Sequence, residues 1–176
     1  MSITAVIEYR GLAAHLITKR GFKRIFTKLV KEALVSAGLR WRKKYLPLHF
    51  KRVATARYGY SQRSPGHKQA KMKKYGHSLP LVFSGTSRDE ILGDKQVPVV
   101  RRRRGRLGVL VRIKAPKYFY QYIKKSKTGK AAKIVDKLDE VTRITRAEHL
   151  DLAKHMDTDI TTGLNKVGGR KRKKVA

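Results

Sequence analysis

The sequence contains no cysteine, and this absence excludes several kinds of chemistry. Without thiols the chain cannot form a disulfide, bind a metal through thiolates or use a cysteine nucleophile. It also lacks any stretch of roughly 18 consecutive apolar residues, the length that a membrane-spanning helix requires, so we expect no membrane partner. With 176 residues, of which 40% are hydrophobic, the chain is nevertheless long and apolar enough to form a folded core.

Acidic residues are scarce: 12 Asp and Glu stand against 44 Lys and Arg, which gives a formal net charge of +32. Because such a charge opposes compaction by self-repulsion, the protein is expected to work beside a large negative field. Seven of the 12 carboxylates lie between positions 136 and 167. We therefore predict a basic body and a basic tail around one nearly neutral packing element.

Motifs of catalysis are missing as well. The sequence has no HExxH, Walker, GxGxxG or GxSxG pattern. Asp151 and His155 are four residues apart and fit a surface ion pair, whereas Asp157 and Asp159 diverge on a helix. We predict that the protein is not an enzyme, that it has no catalytic or metal-binding residues, and that it uses no cofactor.

The sequence of the N-terminal half predicts mainly helical structure. Residues 3–9 are rich in β-branched side chains and predict a first strand. Apolar residues then recur at steps of three and four from Phe22, which predicts a helix that Gly38 ends. A second helical stretch covers residues 39–58, with Trp41, Tyr45, Leu48 and Val53 as core positions. Pro47 should interrupt it and begin a new helix.

The segment 59–79 shows no apolar periodicity and predicts a long loop. Ser87 and Glu90 form a capping box for one short helical turn at 88–92. Residues 96–100 and 107–113 are β-rich runs that flank a tract of arginines and Gly105, which predicts a hairpin with a basic tip.

A second capping box, formed by Thr145 and Glu148, predicts a last helix that ends near Leu164. Its apolar face should carry Leu150, Ala153, Ile160 and Leu164. The predicted fold is α+β: a helical N-terminal half, a small antiparallel sheet with a basic-tipped hairpin, and a C-terminal helix. We expect a single domain over 1–167 with the long loop at 59–79, followed by a basic flexible tail at 168–176.

Candidate contacts with nucleic acid or an acidic partner are the Lys and Arg residues of the hairpin tip, the long loop and the tail, since each cation placed on a phosphate releases counterions. They are Arg101, Arg102, Arg103, Arg104, Arg106, Lys68, Lys71, Lys73, Lys74, Arg170, Lys171, Arg172, Lys173 and Lys174. Tyr58, Tyr60 and Tyr75 alternate with the loop's charges and fit either base stacking or packing of the loop onto the domain. We favour packing.

One stretch, positions 37–85, resembles a family of tailed-phage morphogenesis proteins, namely the neck, head–tail joining and tail-completion proteins. The resemblance rests on a Trp and Leu-Pro helix, a Tyr-Gly-Tyr turn, a Lys-rich spacer and a Pro-Leu-Val segment that ends in Ser-Gly. The positions that carry it are Trp41, Pro47, Phe50, Tyr58, Tyr60, Arg63, Pro80, Leu81, Ser84 and Gly85. The later segment LDEVTRITRAEHLDL is similar to the end of such proteins.

The resemblance implies a structural virion protein with a small α/β fold and no catalytic residues. Its subunits would form a homo-oligomeric ring at the head–tail junction, between the portal or adaptor and the tail proteins, after assembly in the host cytoplasm. A basic member would line the DNA channel, with non-specific DNA contact, or bind acidic portal surfaces. The alternative is a nucleic-acid-associated structural protein, such as a ribosomal protein, which has the same composition and the same kind of tail.

Overall fold

The computed structural model describes residues 2–8, 20–82, 85–93, 97–103, 106–114 and 137–172. Six α-helices are present in this part of the chain: α1 (Arg20–Arg40), α2 (Ala54–Tyr58), α3 (Pro65–Tyr75), α4 (Thr86–Gly93), α5 (Lys137–Thr142) and α6 (Arg146–Arg172). Three strands accompany them: β1 (Ser2–Glu8), β2 (Val99–Arg103) and β3 (Arg106–Lys114). The predicted α+β class is therefore confirmed, and so are the helical N-terminal half and the C-terminal helix.

The chain divides into two compact units, each built from three separate stretches. The first unit comprises Met1–Thr4, Arg42–Gln96 and Arg112–Thr145. The second unit comprises Ala5–Trp41, Val97–Val111 and Arg146–Ala176. The single domain over residues 1–167 stays a prediction.

In the second unit, α1 packs against α6. The buried apolar residues of α1 are Val30, Ala33, Leu34 and Ala37, continued by Trp41. Their steps of three and four confirm the predicted spacing, whereas Phe22, from which we predicted the row to begin, is 40% exposed. On α6 the buried apolar row is Leu152, Met156 and Ile160. Leu150, which we predicted on the apolar face, is 55% exposed, so this detail was wrong.

Gly38 does not end α1, although we predicted a C-cap there; the helix continues to Arg40. A Cβ atom at position 38 would lie 3.0 Å from Cβ of Pro98 and 3.2 Å from Cγ2 of Val109. The glycine therefore allows a close approach of the helix to the hairpin segment. This approach, and not a helix end, accounts for a glycine at this position.

The predicted interruption at Pro47 is confirmed. After α1 the chain forms a π-helical turn (Trp41–Tyr45) and then a 3₁₀-helix (Leu46–Phe50) with Pro47 in its first turn, where the missing N–H removes no bond. Trp41 and Tyr45 are buried as predicted, whereas Val53 is 54% exposed and is not a core residue.

The segment 59–79 is not one long loop, because α3 occupies its centre. The Ser64 side chain accepts a hydrogen bond from the backbone N–H of His67, and Pro65 opens the helix. Gly76, with a φ of 68°, ends it and donates its N–H to the carbonyl of Met72. The prediction failed because α3 is largely exposed and has no apolar row; both capping signals were present in the sequence.

The sheet has the strand order β1-β3-β2, and β2 pairs antiparallel with β3. The predicted hairpin is therefore confirmed, but its basic tip is shorter than we predicted. Arg101, Arg102 and Arg103 lie within β2, paired with positions 108, 107 and 106 of β3. Only Arg104 and Gly105 separate the two strands, and these two residues lie outside the described residues.

Two helix ends also differ from the predictions. Because α4 begins at Thr86, Ser87 lies inside the helix and the predicted capping box was misplaced. The start of α6 directly after Thr145 agrees with the prediction, but the helix runs to Arg172 and includes five of the nine residues of the predicted flexible tail. Residues 173–176 lie outside the described residues. None of the described helices is both long and apolar enough to cross a membrane.

Candidate functional site

The first unit encloses a cluster of aromatic rings around one histidine. The His49 ring is fully buried and stacks on the Tyr58 ring at 3.8 Å between centroids and an interplanar angle of 13°. Its Nδ1 atom lies within hydrogen-bond distance of the Tyr60 hydroxyl and of the Glu140 carbonyl oxygen. Since Tyr58 and Tyr60 are each only 5% exposed, the packing interpretation of these two tyrosines is confirmed, and they are not available to stack on bases.

Burial changes the acid–base behaviour of this cluster. It lowers the pKa of His49 to about 4, with a further lowering by the Arg57 charge, although the hydrogen bond to the Glu140 carbonyl acts in the opposite direction. Burial and the neighbouring Glu140 carboxylate raise the pKa of Tyr60. Both side chains are therefore neutral near pH 7, and neither ring places a charge in the interior.

Glu140 is a buried carboxylate that joins two distant parts of the first unit. Its side chain is 2% exposed and receives two guanidinium hydrogen bonds from Arg63, at 3.2 Å to Oε1 and 2.6 Å to Oε2. The backbone N–H of Ser61 donates to Oε1 at 3.0 Å. This two-pronged geometry is the strong form of an Arg–carboxylate pair, and it offsets the cost of removing the charge from water.

Arg143 plays a related part at the end of α2. It donates to the carbonyl oxygens of Tyr58, the last residue of that helix, at 3.0 Å and of Gly59, which follows it, at 2.8 Å. Its Nε also donates to Asp139 at 2.9 Å. Through these hydrogen bonds Arg143 links the end of α2, next to the two buried tyrosines, to Asp139 of α5.

A cavity of about 550 Å³ lies beside this cluster, wholly within the first unit. One wall is apolar and consists of Leu79, Pro80, Leu81 and Val82, with Tyr60 nearby. The rest of the lining is basic and polar. Its basic residues are Arg63, His67, Lys68, Lys71 and Lys137.

Lys71 is the deepest of these cations. Although lysine is seldom buried, this side chain is only 7% exposed, and its Nζ donates a hydrogen bond to the Leu79 carbonyl. Burial, together with the charges of Arg63 and Lys137, lowers the pKa of Lys71. Burial and Arg63 likewise lower the pKa of Lys137. The cavity therefore concentrates positive charge that is unfavourable by itself.

The apolar wall contains an unusual backbone turn. Leu81 has a φ of 55°, and it is the single non-glycine residue with a positive φ in the part of the chain that the structure describes. The Val82 N–H donates to the Pro80 carbonyl at 2.7 Å, which closes a three-residue turn. Such a conformation costs about 1–3 kcal/mol and persists where the surroundings enforce it. Here both Leu81 and Val82 are buried.

The predicted contact residues of the described ranges lie on the helix α3, on the hairpin and on α6. Lys68, Lys73 and Lys74 are exposed on α3 and Lys71 is buried; Lys68 and Lys71 both line the cavity. Arg101 and Arg102 are exposed on β2, and Arg103 and Arg106 belong to the paired ends of the hairpin. Arg170, Lys171 and Arg172 lie in the last turn of α6. Arg104, Lys173 and Lys174 lie outside the described residues, and the contacts themselves stay a prediction.

The positions that carry the family resemblance are mostly interior ones. Phe50, Tyr58, Tyr60 and Leu81 are buried in the first unit, and Trp41 is buried in the second. Arg63 pairs with Glu140, Pro47 starts the 3₁₀-helix, Pro80 lines the cavity, and Gly85 has a φ of 94° directly before α4. Ser84 lies outside the described residues. Of these positions, Tyr60, Arg63, Pro80 and Leu81 line the cavity of the first unit.

Ser36, His155 and Asp159 of the second unit come together, but not as a catalytic triad. The Ser36 hydroxyl lies 3.0 Å from Nε2 of His155, and the Asp159 carboxylate lies 3.6 Å from the same nitrogen. In a triad the carboxylate binds the other ring nitrogen. Asp151 pairs with Arg40 through two hydrogen bonds, so the predicted pair of Asp151 with His155 was wrong.

Sequence reasoning missed Lys137, Glu140 and Arg143, three charged residues around α5. They meet residues 58–71 only in the folded chain; Glu140 and Arg63 are 77 positions apart. The signal that could have found them is the adjacent acidic pair Asp139 and Glu140, because isolated carboxylates in so basic a chain are expected to pair with cations. In the described ranges no group of three His, Asp or Glu residues is arranged to hold a metal ion.

Comparison of the chain with models of protein families, with curated proteins and with solved structures finds no match.

Proposed function

We propose that the protein is a structural subunit of a tailed-phage virion, a neck, head–tail connector or tail-completion protein that acts at the portal–tail junction. The observation that carries this proposal is the interior location of the residues on which the resemblance rests, among them Phe50, Tyr60 and Leu81. In a structural protein the shared residues define a fold, whereas in an enzyme they would converge on reacting groups. The subunits form a homo-oligomeric ring with portal or adaptor and tail proteins as partners.

The exposed cations indicate which surfaces the ring contacts. Arg101 and Arg102 on β2, and Lys68, Lys73 and Lys74 on α3, are exposed side chains in a chain of net charge +32. A ring of such subunits has a strongly positive surface, which lines the path of DNA or binds acidic faces of the neighbouring rings.

A second candidate is a nucleic-acid-associated structural protein, such as a ribosomal protein. The exposed cations favour it, since the neighbouring exposed Arg101 and Arg102 on the hairpin are suited to phosphate contacts without sequence readout. The two functions differ in the state of the free protein: the virion subunit assembles with itself or with a portal ring, whereas a ribosomal protein is monomeric off its RNA.

Mass photometry and negative-stain electron microscopy of the purified full-length chain test the proposal. We expect a closed ring with a central channel, formed alone or on addition of a portal ring. A protein that stays monomeric under both conditions and co-sediments with ribosomal subunits would establish the second candidate instead.

Replacement of the hairpin arginines separates DNA contact from protein contact. In the variant with Ser at Arg101, Arg102, Arg103 and Arg104, the slope of log affinity for duplex DNA against log salt should fall by about 0.9 for each lost phosphate contact. The control is Lys154→Ser, which removes an exposed cation of α6 outside the predicted contacts. Equal slopes in wild type and quadruple variant would show that the arginines do not contact DNA, which leaves protein contact or no contact.

A further inference from the structure

The helix α1 has a concentration of positive charge that lies outside the contacts predicted from the sequence. Its members, which we call the basic face of α1, are the exposed residues Lys23, Arg24, Lys28 and Lys31. We propose that the basic face binds the phosphate backbone of a double-stranded nucleic acid without reading its sequence. This interface does not rest on the virion function, because it suits DNA in a virion and RNA in a ribosome alike.

The first argument is the arrangement of these cations on the helix. Arg24, Lys28 and Lys31 are spaced by four and three residues and therefore share one side of α1. The buried apolar row of α1 lies on another side, which packs against α6. At a rise of 1.5 Å per residue, the three cations span about 10 Å of the helix axis, a length that about three phosphates of one duplex strand occupy.

The second argument is that α1 neutralises little of this charge by itself. Arg24 and Lys28 are like charges four residues apart, an arrangement that disfavours a helix. Glu32 is the only carboxylate in the sequence of α1, and its ion pair with Lys28 is long, at 3.9 Å, and exposed. Such surface pairs contribute little to stability. A bound polyanion therefore supplies opposite charge that the helix itself provides only once.

The third argument is a groove beside the basic face, with a volume of about 480 Å³. The described residues that line it are Lys23, Arg24, Thr27, Lys28, Lys31 and Glu32. Ammonium, guanidinium and hydroxyl groups are the side-chain donors with which proteins contact phosphate oxygens. The groove is therefore suited to hold a phosphate group of a nucleic-acid backbone.

The same lining distinguishes a nucleic acid from an acidic protein. The centre of a protein–protein interface is apolar and depleted of charged residues, whereas protein–DNA interfaces are polar and strongly positive. Among the described lining residues of the groove there is no apolar side chain. There is no aromatic ring among them either, so they offer no platform on which the bases of a single strand stack. A duplex, which keeps its bases paired and presents its phosphates, fits these residues best.

The second unit is also polarised in charge. Residues 20–31 of α1 contain five cations and no carboxylate, whereas residues 148–159 of α6 contain four carboxylates and one lysine. The strand β2, which also packs against α1, carries the exposed Arg101 and Arg102. Within this unit, α1 and β2 therefore attract a polyanion more strongly than residues 148–159 of α6 do.

Fluorescence anisotropy with the full-length protein, measured over a series of salt concentrations, tests the basic face. The probes are a fluorescein-labelled DNA duplex, an RNA duplex of the same length, and polyglutamate of similar total charge. The α1 variant combines Arg24→Gln, Lys28→Gln and Lys31→Gln; glutamine is a good helix former, so α1 should be retained. The matched α6 variant removes the same charges from exposed positions of α6 and combines Arg146→Gln, Lys154→Gln and Lys166→Gln.

We expect the slope of log affinity for a duplex against log salt to fall by about 2–3 in the α1 variant, since each lost phosphate contact lowers it by about 0.9. In the α6 variant the slope should fall by less than the value for one contact, about 0.9. The affinity for polyglutamate should fall equally in the two variants, because their net charges are the same.

Glu32→Gln gives a change of opposite sign. It removes the carboxylate from the groove and releases Lys28 from its ion pair. We therefore expect tighter binding of a duplex and a slope that increases by up to about 0.9. The matched control is Asp157→Asn, which makes the same charge change at an exposed position of α6 and should have the smaller effect.

Three results would overturn the proposal. One is an equal fall of the slope in the α1 and α6 variants, which would assign binding to net charge. The second is absence of binding by both duplexes. The third is a loss of polyglutamate affinity in the α1 variant that exceeds the loss of duplex affinity, which would assign the basic face to an acidic protein.

The two duplexes identify the source of the phosphates. Tighter binding of either DNA or RNA supports the basic face as an interface, and the preferred duplex names the partner. If circular dichroism shows that the triple α1 variant does not fold, Glu32→Gln and the double variant of Arg24→Gln with Lys31→Gln decide the question, the latter with an expected fall of about 1.8 in the slope. Ring formation is tested separately by mass photometry, so failure of one proposal leaves the other standing.

Discussion

The two compact units bury very different interiors. The second unit places aliphatic side chains between two long helices, with Leu34 and Leu152 as fully buried examples. The first unit places a histidine, two tyrosines and a charged pair in its interior, with Glu140 at the centre. Contacts between buried apolar side chains are not directional and tolerate small shifts of these side chains, whereas a buried charged pair requires both partners in defined geometry. The cluster around Glu140 in the first unit should therefore respond to changes in charge, and the packing of α1 on α6 in the second unit to changes in volume.

Removal of Glu140 should have the largest effect. In Glu140→Ala the guanidinium of Arg63, 22% exposed, loses its partner and the Ser61 N–H loses an acceptor. We expect a loss of about 3–5 kcal/mol in the free energy of unfolding, measured by urea denaturation. Hydrogen exchange should show the loss of protection first in residues 54–63.

The control for this prediction is Glu32→Ala, which removes a carboxylate from the exposed pair with Lys28. Its effect should stay below about 0.5 kcal/mol. Similar losses in the two variants would mean that the buried pair contributes no more than a surface pair, and the contrast between the units would disappear.

Truncation of Leu152 should have a somewhat smaller effect, confined to the helix pair. Leu152→Ala removes a buried side chain between α6 and α1 and leaves a cavity, so we expect a loss of about 2–5 kcal/mol in the free energy of unfolding. Leu150→Ala is the matched control on the same helix, because Leu150 is 55% exposed. Its effect should stay within about 0.5 kcal/mol. Equal effects would contradict the assignment of the buried face.

Acidification should weaken the protein through His49, with a loss in the free energy of unfolding per pH unit that is smaller than the loss from either substitution. The buried ring has a pKa of about 4, below the ordinary 6.5, so between these values the unfolded chain binds a proton that the folded chain does not. The free energy of unfolding should therefore fall as the pH falls from about 6.5 to about 4, by up to about 1.4 kcal/mol per pH unit.

Urea denaturation at several pH values checks this dependence. His49→Asn, which keeps an N–H donor near the position of Nδ1, should flatten the slope, whereas the same substitution at the exposed His149 should leave it unchanged. A slope that is the same in wild type and His49→Asn would show that other groups control the acid response.

The sequence predicted the second unit better than the first. The steps of three and four in α1, the capping box before α6 and the β-rich runs of the hairpin are local patterns, and each reports one element. The errors there concern detail: Gly38 serves a close approach to Pro98 rather than a helix end, and Leu150 lies on the exposed face.

The candidate site could be predicted only in part, because it is assembled from distant residues. Tyr60, Arg63 and Lys71 were identified from the sequence, but their partners Glu140 and Lys137 were not, and no local pattern connects positions so far apart. The helix α3 escaped detection since its only buried residue is a lysine, so the apolar row on which helix prediction depends is absent. The turn at Leu81 is invisible in a sequence, because leucine rarely adopts a positive φ.

The order of the chain has a consequence for its biosynthesis. Neither unit is contiguous, and each is completed by the last third of the chain. The pair of Arg40 with Asp151 joins positions separated by 111 residues. At a synthesis rate of about 5–20 residues per second, α6 is synthesised about 5–20 s after α1. During that time α6 is not there to cover the apolar row from Val30 to Trp41. A nascent chain of this protein is therefore a natural client of chaperones that shield apolar helices, and truncation before α6 would leave both a helix without its partner and an insoluble product.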